Sequence, residues 1–236
     1  MRKINFWNFL KRHFLEFALI FISVILAFTL AEWSSNKNEK KSAKTILTEI
    51  KNGLNSDKKD FTANVEHHRI SINGVRTLRN WVNNKKINQD SVAVYYFTLF
   101  RNYTPIINKT GYESLKSNGL KTIENDSLRF KIIELYEYQY KVLETLEITN
   151  YEMQDFQNFF KPTNDILQSN FNFDQKGNII GLKPATNLTE SQTQALLSYF
   201  WRMELNKKFK ISRYNQVIEK IQILEKNIET EIKNDR

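Results

Sequence analysis

Residues that commonly do chemistry are few and scattered in this sequence. There are three histidines and no cysteine, which excludes disulfides and thiolate metal sites. His67 and His68 are adjacent, so on a helix their side chains diverge by about 100° and do not chelate one ion. The Glu-x-x-His pattern of carboxylate di-iron bundles is missing as well. We therefore expect no metal site and no cofactor.

Sequence signatures of catalysis are also missing. The chain has no phosphate-binding loop, no dinucleotide-binding glycine pattern, no H-E-x-x-H and no G-x-S-x-G. Four glutamates lie at helical spacing beside lysines, a pattern typical of solvated helix faces: Glu134, Glu137, Glu144 and Glu147. The sequence predicts no catalytic residue, and we expect that the protein is not an enzyme.

The best candidate for an interaction site or pocket lies around a corner between two predicted helices. Its members are polar, charged or aromatic: His68, Tyr112, Glu113, Asn118, Arg129 and Tyr136. A tight corner needs Asn and Gly in its turn and Asn or Asp as a helix cap. That need explains Asn118, Gly119, Asn125 and Asp126 without any ligand. Both interpretations fit the sequence.

The segment around which the chain is organised is an apolar run at residues 14–33, which follows a short basic tail at residues 1–13. As a helix it would extend about 30 Å, the thickness of the hydrocarbon core of a bilayer. Trp33 lies where an interfacial aromatic residue is expected. The sequence predicts a transmembrane helix. The alternative is a signal peptide, whose only cleavage motif would be a poor one at residues 29–31.

One face of this helix carries a carboxylate and several small residues: Glu16, Ile20, Ser23, Ala27 and Ala31. Small residues let the backbone of a second helix approach closely, so we predict a helix-packing face. Two alternatives are open. Glu16 would reach the interface or pair with Arg12, and the small residues would reflect ordinary alanine usage.

The anchor and several later motifs resemble an uncharacterised family of bacterial single-pass membrane proteins. The resemblance rests on Glu16, the small residue at 23, Ala27, Trp33 with the Asn/Lys/Glu-rich run after it, His68–Arg69, Gly111–Gly119, Asn125–Arg129 and Tyr136. It covers most of residues 14–150, and Ser23 stands where the family usually has glycine. The resemblance implies a single anchor followed by an extramembrane domain, and no established activity.

The remainder, residues 34–236, is expected to form an all-α extramembrane domain, an elongated antiparallel bundle of long helices. With only 6 glycines and 3 prolines the sequence contains few helix breakers. Apolar residues at steps of 3 and 4 predict helices over about 38–83, 125–160 and 189–233. In the last of these, Asn206–Lys210 disturbs the pattern, so a kink or register shift is plausible there.

Shorter features are less regular. Asp57 and His68 interrupt the apolar seam of the first long helix, where they either set its register, face a polar pocket or are locally satisfied. Residues 92–100 fit a buried helix or a strand, and we predict a helix. Lys161-Pro162 is expected to end a helix, and a small hairpin is expected near residues 171–182.

The net charge of +9 places a basic domain beside the bilayer, where contact with anionic lipid is plausible. An AT-biased genome would explain the same abundance of lysine, asparagine and isoleucine. No nucleic-acid-binding motif accompanies the charge, so no nucleic-acid partner is expected. Basic residues are nearly balanced across the anchor. Because the N-terminal tail is short and charged, we expect it to be cytoplasmic, with the main domain periplasmic at a bacterial inner membrane.

Two functional hypotheses follow. The first is a non-enzymatic scaffold or accessory subunit of a cell-envelope assembly, which associates with itself or with a larger membrane complex through the anchor face and the seam of the first long helix. The second is a periplasmic domain that senses a ligand near residues 92–140 and signals through a membrane partner. A partner is required because only 13 residues precede the anchor.

Overall fold

A computed structural model describes residues 6–101, 103–148 and 155–234, with the side chains of 6–13 and 156 left aside. The helices are α1 (Phe6–Val82), α2 (Val92–Leu99), α3 (Thr110–Asn118), α4 (Asp126–Glu134), α5 (Tyr140–Ile148), α6 (Lys161–Gln168) and α7 (Glu190–Asn234). A π-helical turn, Leu135–Gln139, joins α4 to α5, and another, Phe156–Phe160, precedes α6. Strands β1 (Phe171–Phe173) and β2 (Ile179–Leu182) form the predicted hairpin. The all-α class is confirmed.

Helix α1 joins the apolar segment to the bundle without a break. It has 77 residues and would extend about 115 Å. The sequence predicted two helices here, but residues 34–42 contain no glycine or proline to separate them. The apolar part is long enough to cross a membrane, and none of its most apolar window is buried inside the chain. From Ala43 onwards, α1 buries one face in the bundle.

Helix α7 packs antiparallel along α1. Lys51 pairs with Glu229 (2.8 Å), Lys58 pairs with Glu225 (2.6 Å), and Arg79 pairs with Glu204 near the other end (2.7 Å). The buried seam of α7 advances in steps of 4 and 3 without a gap: Met203, Lys207, Lys210, Tyr214, Val217, Ile221, Leu224 and Ile228. The register shift suggested for residues 206–210 is therefore absent, because two lysines occupy seam positions of a continuous helix.

The bundle has two hydrophobic cores. The core nearer the apolar segment contains α1 residues up to Val65 and α7 residues from Tyr214 onwards, packed with α3, α4 and α5. The other contains α1 residues from Val75 onwards and α7 residues up to Met203, packed with α2, α6 and the hairpin. The layer between the two cores is occupied largely by polar side chains. That layer contains the first of the two sites described below.

Two local features deviate from expectation or explain a residue choice. Lys161-Pro162 does not end a helix. Pro162 lies in the first turn of α6, where its missing N–H removes no helical hydrogen bond. The stretch 149–154 lies outside the described residues, so the helix predicted over 125–160 is described only in part.

Gly111 lets α3 contact α1 closely, since a Cβ there would lie 2.5 Å from the Ile50 nitrogen.

Candidate functional site

A polar layer separates the two cores, and we define it by four ionisable side chains: His68, Glu147, Lys207 and Lys210. Each is at most 1% exposed. They come from three elements, because His68 lies on α1, Glu147 on α5 and the two lysines on α7. Buried charges are rare in proteins unless they are paired, so this group is the least expected feature of the interior.

Glu147 is the centre of the polar layer. Its Oε2 accepts a hydrogen bond from Lys210 Nζ (2.6 Å), and its Oε1 lies 2.8 Å from His68 Nε2. Burial alone would raise the pKa of Glu147, but the hydrogen bond from His68 and the charge of Lys210 outweigh it and lower the pKa. Because an ionised carboxylate only accepts hydrogen bonds, Nε2 of His68 carries the proton and Nδ1 is the acceptor nitrogen.

Two nitrogen atoms in this layer have no hydrogen-bond partner among the described residues: His68 Nδ1 and Lys207 Nζ. Lys207 Nζ instead lies over the ring of Tyr103, 5.6 Å from its centre. Burial, assisted by the charge of Lys210, lowers the pKa of Lys207 to about 7. Burial is also the largest cause that lowers the pKa of His68. Burial therefore disfavours the protonated, charged form of both groups.

A second buried site, the tyrosine cage, surrounds Asp57 in the core nearer the apolar segment. We define it as Asp57 with Tyr112, Tyr136 and Tyr140. Tyr140 donates its hydroxyl hydrogen to Asp57 Oδ2 (2.7 Å), and the Asn108 backbone N–H donates to Oδ1 (2.8 Å). Burial raises the pKa of Asp57 to about 6, although both hydrogen bonds act to lower it.

The three tyrosine rings of the cage pack against one another beside Asp57. Tyr112 and Tyr136 stack with ring centres 4.5 Å apart, and Tyr136 meets Tyr140 edge-on at 5.0 Å. The π-helical turn at residues 135–139 carries Tyr136 and immediately precedes Tyr140. Such turns are frequent at functional sites. In this protein the turn places two tyrosines on the side of the helix that faces Asp57.

The structure distributes the six predicted interaction residues over three places. His68 lies in the polar layer, and Tyr112 and Tyr136 lie together in the tyrosine cage. The others lie near the α3–α4 corner, where Glu113 pairs with Lys116 (3.4 Å) and Asn118 Nδ2 donates to the Ser114 carbonyl (2.9 Å). Arg129 donates to the Ile123 carbonyl (2.7 Å) and pairs with Asp126, so these three residues make local contacts.

The structure also shows functional candidates that sequence reasoning missed. Glu147 was predicted to face solvent with its neighbours, and that prediction is wrong for this residue. Glu134 and Glu144 are partly exposed and pair with Lys220 and Lys109, as expected of helix surfaces. The signal for the buried residue was its spacing from Tyr140 and Leu143, which places it on the seam of α5. The same 4-3 spacing identifies both buried lysines of α7.

On the apolar segment, all five residues of the predicted packing face are exposed: Glu16, Ile20, Ser23, Ala27 and Ala31. The Ser23 hydroxyl donates to the Leu19 carbonyl of its own helix (2.7 Å). Its hydrogen-bonding capacity is therefore met in part without a second helix. Within the described residues, no group of three or more His, Cys, Asp or Glu side chains is arranged to hold a metal ion.

Comparison with known proteins adds no relative. No family model matches the chain, and no curated protein or solved structure is significantly similar to it. The resemblance of residues 14–150 to a family of single-pass membrane proteins therefore stays a prediction.

Proposed function

We propose that the protein is a membrane-anchored, non-enzymatic scaffold or accessory subunit of a cell-envelope assembly, which acts by helix–helix association. The observation that supports this most is the continuity of α1, which leads from an exposed apolar segment into the bundle without a break. An uninterrupted helix holds an elongated antiparallel bundle at a fixed distance from the bilayer. That is the mechanical requirement of a scaffold.

The proposal assigns association to the anchor face rather than to the seam of α1. Seam residues such as Leu54, Phe61 and Val75 are fully buried inside this chain, largely against α7, and are not offered to a partner. The anchor face of Glu16, Ser23, Ala27 and Ala31 is exposed along the apolar helix. Small residues in lipid permit close backbone contact, so a second copy or a larger membrane complex is the proposed partner.

Anionic lipid is the second proposed partner. Lys37, Lys40, Lys41 and Lys44 are all exposed and fall within about 100° of one another around α1, directly after Trp33. Lys37 Nζ lies 5.3 Å from the centre of the Trp33 ring. Basic residues this close to a bilayer are attracted to any anionic headgroups on that surface. We propose an inner-membrane location, with residues 1–13 in the cytoplasm and the bundle in the periplasm.

Cysteine cross-linking tests the anchor face. The chain has no cysteine of its own, so a single introduced thiol reports one position. We expect Ala27→Cys, in membranes treated with a mild oxidant, to give a disulfide-linked dimer or a covalent adduct with a cysteine-bearing partner. The matched control is Ile25→Cys, which lies about 160° around the same helix and should stay monomeric.

The two positions also provide the outcome that would contradict the proposal. Equal cross-linking at 25 and 27 would indicate random collision in the bilayer. No cross-link at either position, together with a strictly monomeric particle in mild detergent, would count against association through the anchor.

The second candidate function is a sensing domain that signals through a membrane partner. The observation that favours it is the polar layer. Its buried ionisable groups lie between the two hydrophobic cores of the bundle, and α1, which carries one of them, continues into the apolar segment. In the tyrosine cage, by contrast, the rings stack on one another and fill the space near residues 112–140. Thermal-shift screening of the full chain against small molecules distinguishes ligand sensing from the scaffold function.

A further inference from the structure

The polar layer is the feature of the molecule that the proposed scaffold function leaves unexplained. A hydrophobic layer would join the two cores at least as well, because replacing buried ion pairs by packed apolar residues is often neutral or stabilising. In this protein two lysines, Lys207 and Lys210, occupy consecutive seam positions of α7. The seam residues before and after them are Met203 and Tyr214.

We propose that the polar layer is a pH-sensitive latch, which holds α7 against α1 and α5 when His68 and Lys207 are uncharged and loosens when they take up protons. The latch lies between the two hydrophobic cores, so each core can stay packed while the contact between them changes.

The groups that face the latch come from every element packed around it. Helix α1 contributes His68 and Ser71, with His67 stacked on Tyr103 at its rim (4.7 Å). The segment before α3 contributes Tyr103, on which the charge of Arg101 also acts. Helix α5 contributes Glu147, and α7 contributes Lys207, Lys210 and Tyr214. Asp60 and Asn64 of α1 act on Tyr214 from the side of the neighbouring core.

The charges of these buried groups explain why protonation of His68 or Lys207 is unfavourable. Glu147 is the single carboxylate of the four-residue layer, and Lys210 already balances it at 2.6 Å. A proton added to His68 enters at Nδ1 and one added to Lys207 enters at Nζ, and neither atom has an acceptor among the described residues. Each added proton therefore leaves an unbalanced positive charge in the interior.

The direction of the pH response follows from the folded and unfolded pKa values. Lys207 has a folded pKa of about 7 against 10.5 in the unfolded chain, so unfolding takes up a proton between those values. Its contribution to stability is full above 10.5 and is lost as pH falls to about 7. The lowered pKa of His68 adds a second loss, which begins below its ordinary value of 6.5.

Hydrogen exchange on the full-length protein in mild detergent tests the latch. After correction for the intrinsic pH dependence of exchange, we expect amides at 203–214 of α7 to lose protection roughly tenfold or more between pH 9 and pH 7. Lys207→Met should remove that change, because methionine fills the same space without an ionisable group. The matched control is Lys226→Met, an exposed lysine of the same helix, which should behave as the unaltered protein.

A second pH window tests the contribution of His68. Between pH 7 and pH 5, His68→Gln should remove the remaining loss of protection, while Lys207→Met should retain it. Protection of 203–214 that is constant from pH 9 to pH 5 would overturn the proposal. So would a Lys207→Met protein with the full pH 9 to pH 7 change.

A direct titration keeps the inference testable if either variant folds poorly. In protein labelled with ¹³C at lysine Cε, the Lys207 signal is expected to titrate near pH 7, well below the ordinary lysine value of 10.5. Finding every lysine signal titrating above about pH 9 would contradict the latch whatever the exchange data show.

Discussion

Asp57 and Glu147 are both buried carboxylates of the same bundle, yet their pKa values are shifted in opposite directions. Asp57 accepts hydrogen bonds from neutral donors, the Tyr140 hydroxyl and the Asn108 N–H. Glu147 accepts from His68 and from the ammonium group of Lys210. Burial raises the pKa of Asp57 to about 6, whereas the partners of Glu147 overcome burial and lower its pKa.

Each carboxylate accepts two hydrogen bonds, so their number does not explain the difference. Asp57 has only neutral donors and lies near the charge of Asp60, whereas Glu147 has the charged Lys210 beside the hydrogen bond from His68. Two neutral donors do not replace the water that Asp57 loses. One lysine at 2.6 Å, with the histidine, suffices for Glu147. Acid therefore has opposite effects on the two sites, since it removes the charge of the tyrosine cage and adds charge to the polar layer.

Protonation of Asp57 stabilises the folded protein. Its folded pKa of about 6 exceeds its ordinary value of 3.8, so the folded protein binds this proton more tightly than the unfolded chain. The stability that this proton contributes is full below 3.8 and is lost as pH rises through about 6. The contribution of the polar layer runs the other way.

The largest expected effect comes from Glu147→Gln. This change leaves the Lys210 ammonium group buried without a counter-charge, so we expect the free energy of unfolding to fall by about 3–5 kcal/mol. Urea unfolding of the full chain in detergent at pH 8, followed by tryptophan fluorescence, measures it.

The matched control is Asp57→Asn under the same conditions, which removes a charge that the interior already disfavours. We expect it to lower the free energy of unfolding by about 1 kcal/mol or less, because the amide oxygen can still accept from Asn108. If Asp57→Asn is as damaging as Glu147→Gln, the two carboxylates do not differ as described.

The long helices and the hairpin could be predicted from the sequence. Steps of 3 and 4 between Leu47, Ile50 and Leu54 predicted the long helices. The runs at 171–174 and 179–182, on either side of Lys176-Gly177, predicted the hairpin. These features are local, so nearby residues suffice to predict them. Asp57 and His68 were recognised as interruptions for the same reason.

The polar layer could not be predicted in the same way. A seam is recognised by its apolar residues, so a charged residue at a seam position is assigned to the surface by default. Glu147 and Lys210 lie 63 positions apart in the chain and become understandable only as a pair. Their partnership depends on how α5 and α7 pack, which periodicity within one helix does not specify.

Tyr140→Phe should have an intermediate effect. It removes the hydroxyl that donates to Asp57, and a hydrogen bond to a charged group contributes about 1.5–3 kcal/mol. We expect that loss at pH 8, where Asp57 is ionised, and a smaller one at pH 5, where it is largely protonated. Urea unfolding at the two pH values measures the difference.

The control for Tyr140→Phe is Tyr138→Phe, an exposed tyrosine of the same π-helical turn. It should leave stability unchanged at both pH values. An equal loss from Tyr140→Phe at pH 8 and at pH 5 would show that the hydroxyl serves the packing of the cage and not the charge of Asp57.

The smallest effect is expected at Glu204, a carboxylate with several cations that are open to solvent. Arg76, Arg79 and Lys208 lie 3.0, 2.7 and 2.8 Å from it. Burial would raise its pKa, but hydrogen bonds from Lys208 and both arginines lower it to about 2. Its contribution to stability is therefore full above 4.5 and is lost as pH falls toward 2.

Despite its three cations, Glu204→Gln should lower the free energy of unfolding by only about 1 kcal/mol at neutral pH. Glu204 itself is buried, but Arg76, Arg79 and Lys208 are 53%, 31% and 51% exposed, so water solvates them when the carboxylate is removed. The loss should shrink further when salt is raised to about 1 M, where the screening length falls to about 3 Å. The loss from Glu147→Gln should not change with salt, since ions do not enter the polar layer. A salt-insensitive Glu204→Gln as damaging as Glu147→Gln would mean that burial does not set the strength of these pairs.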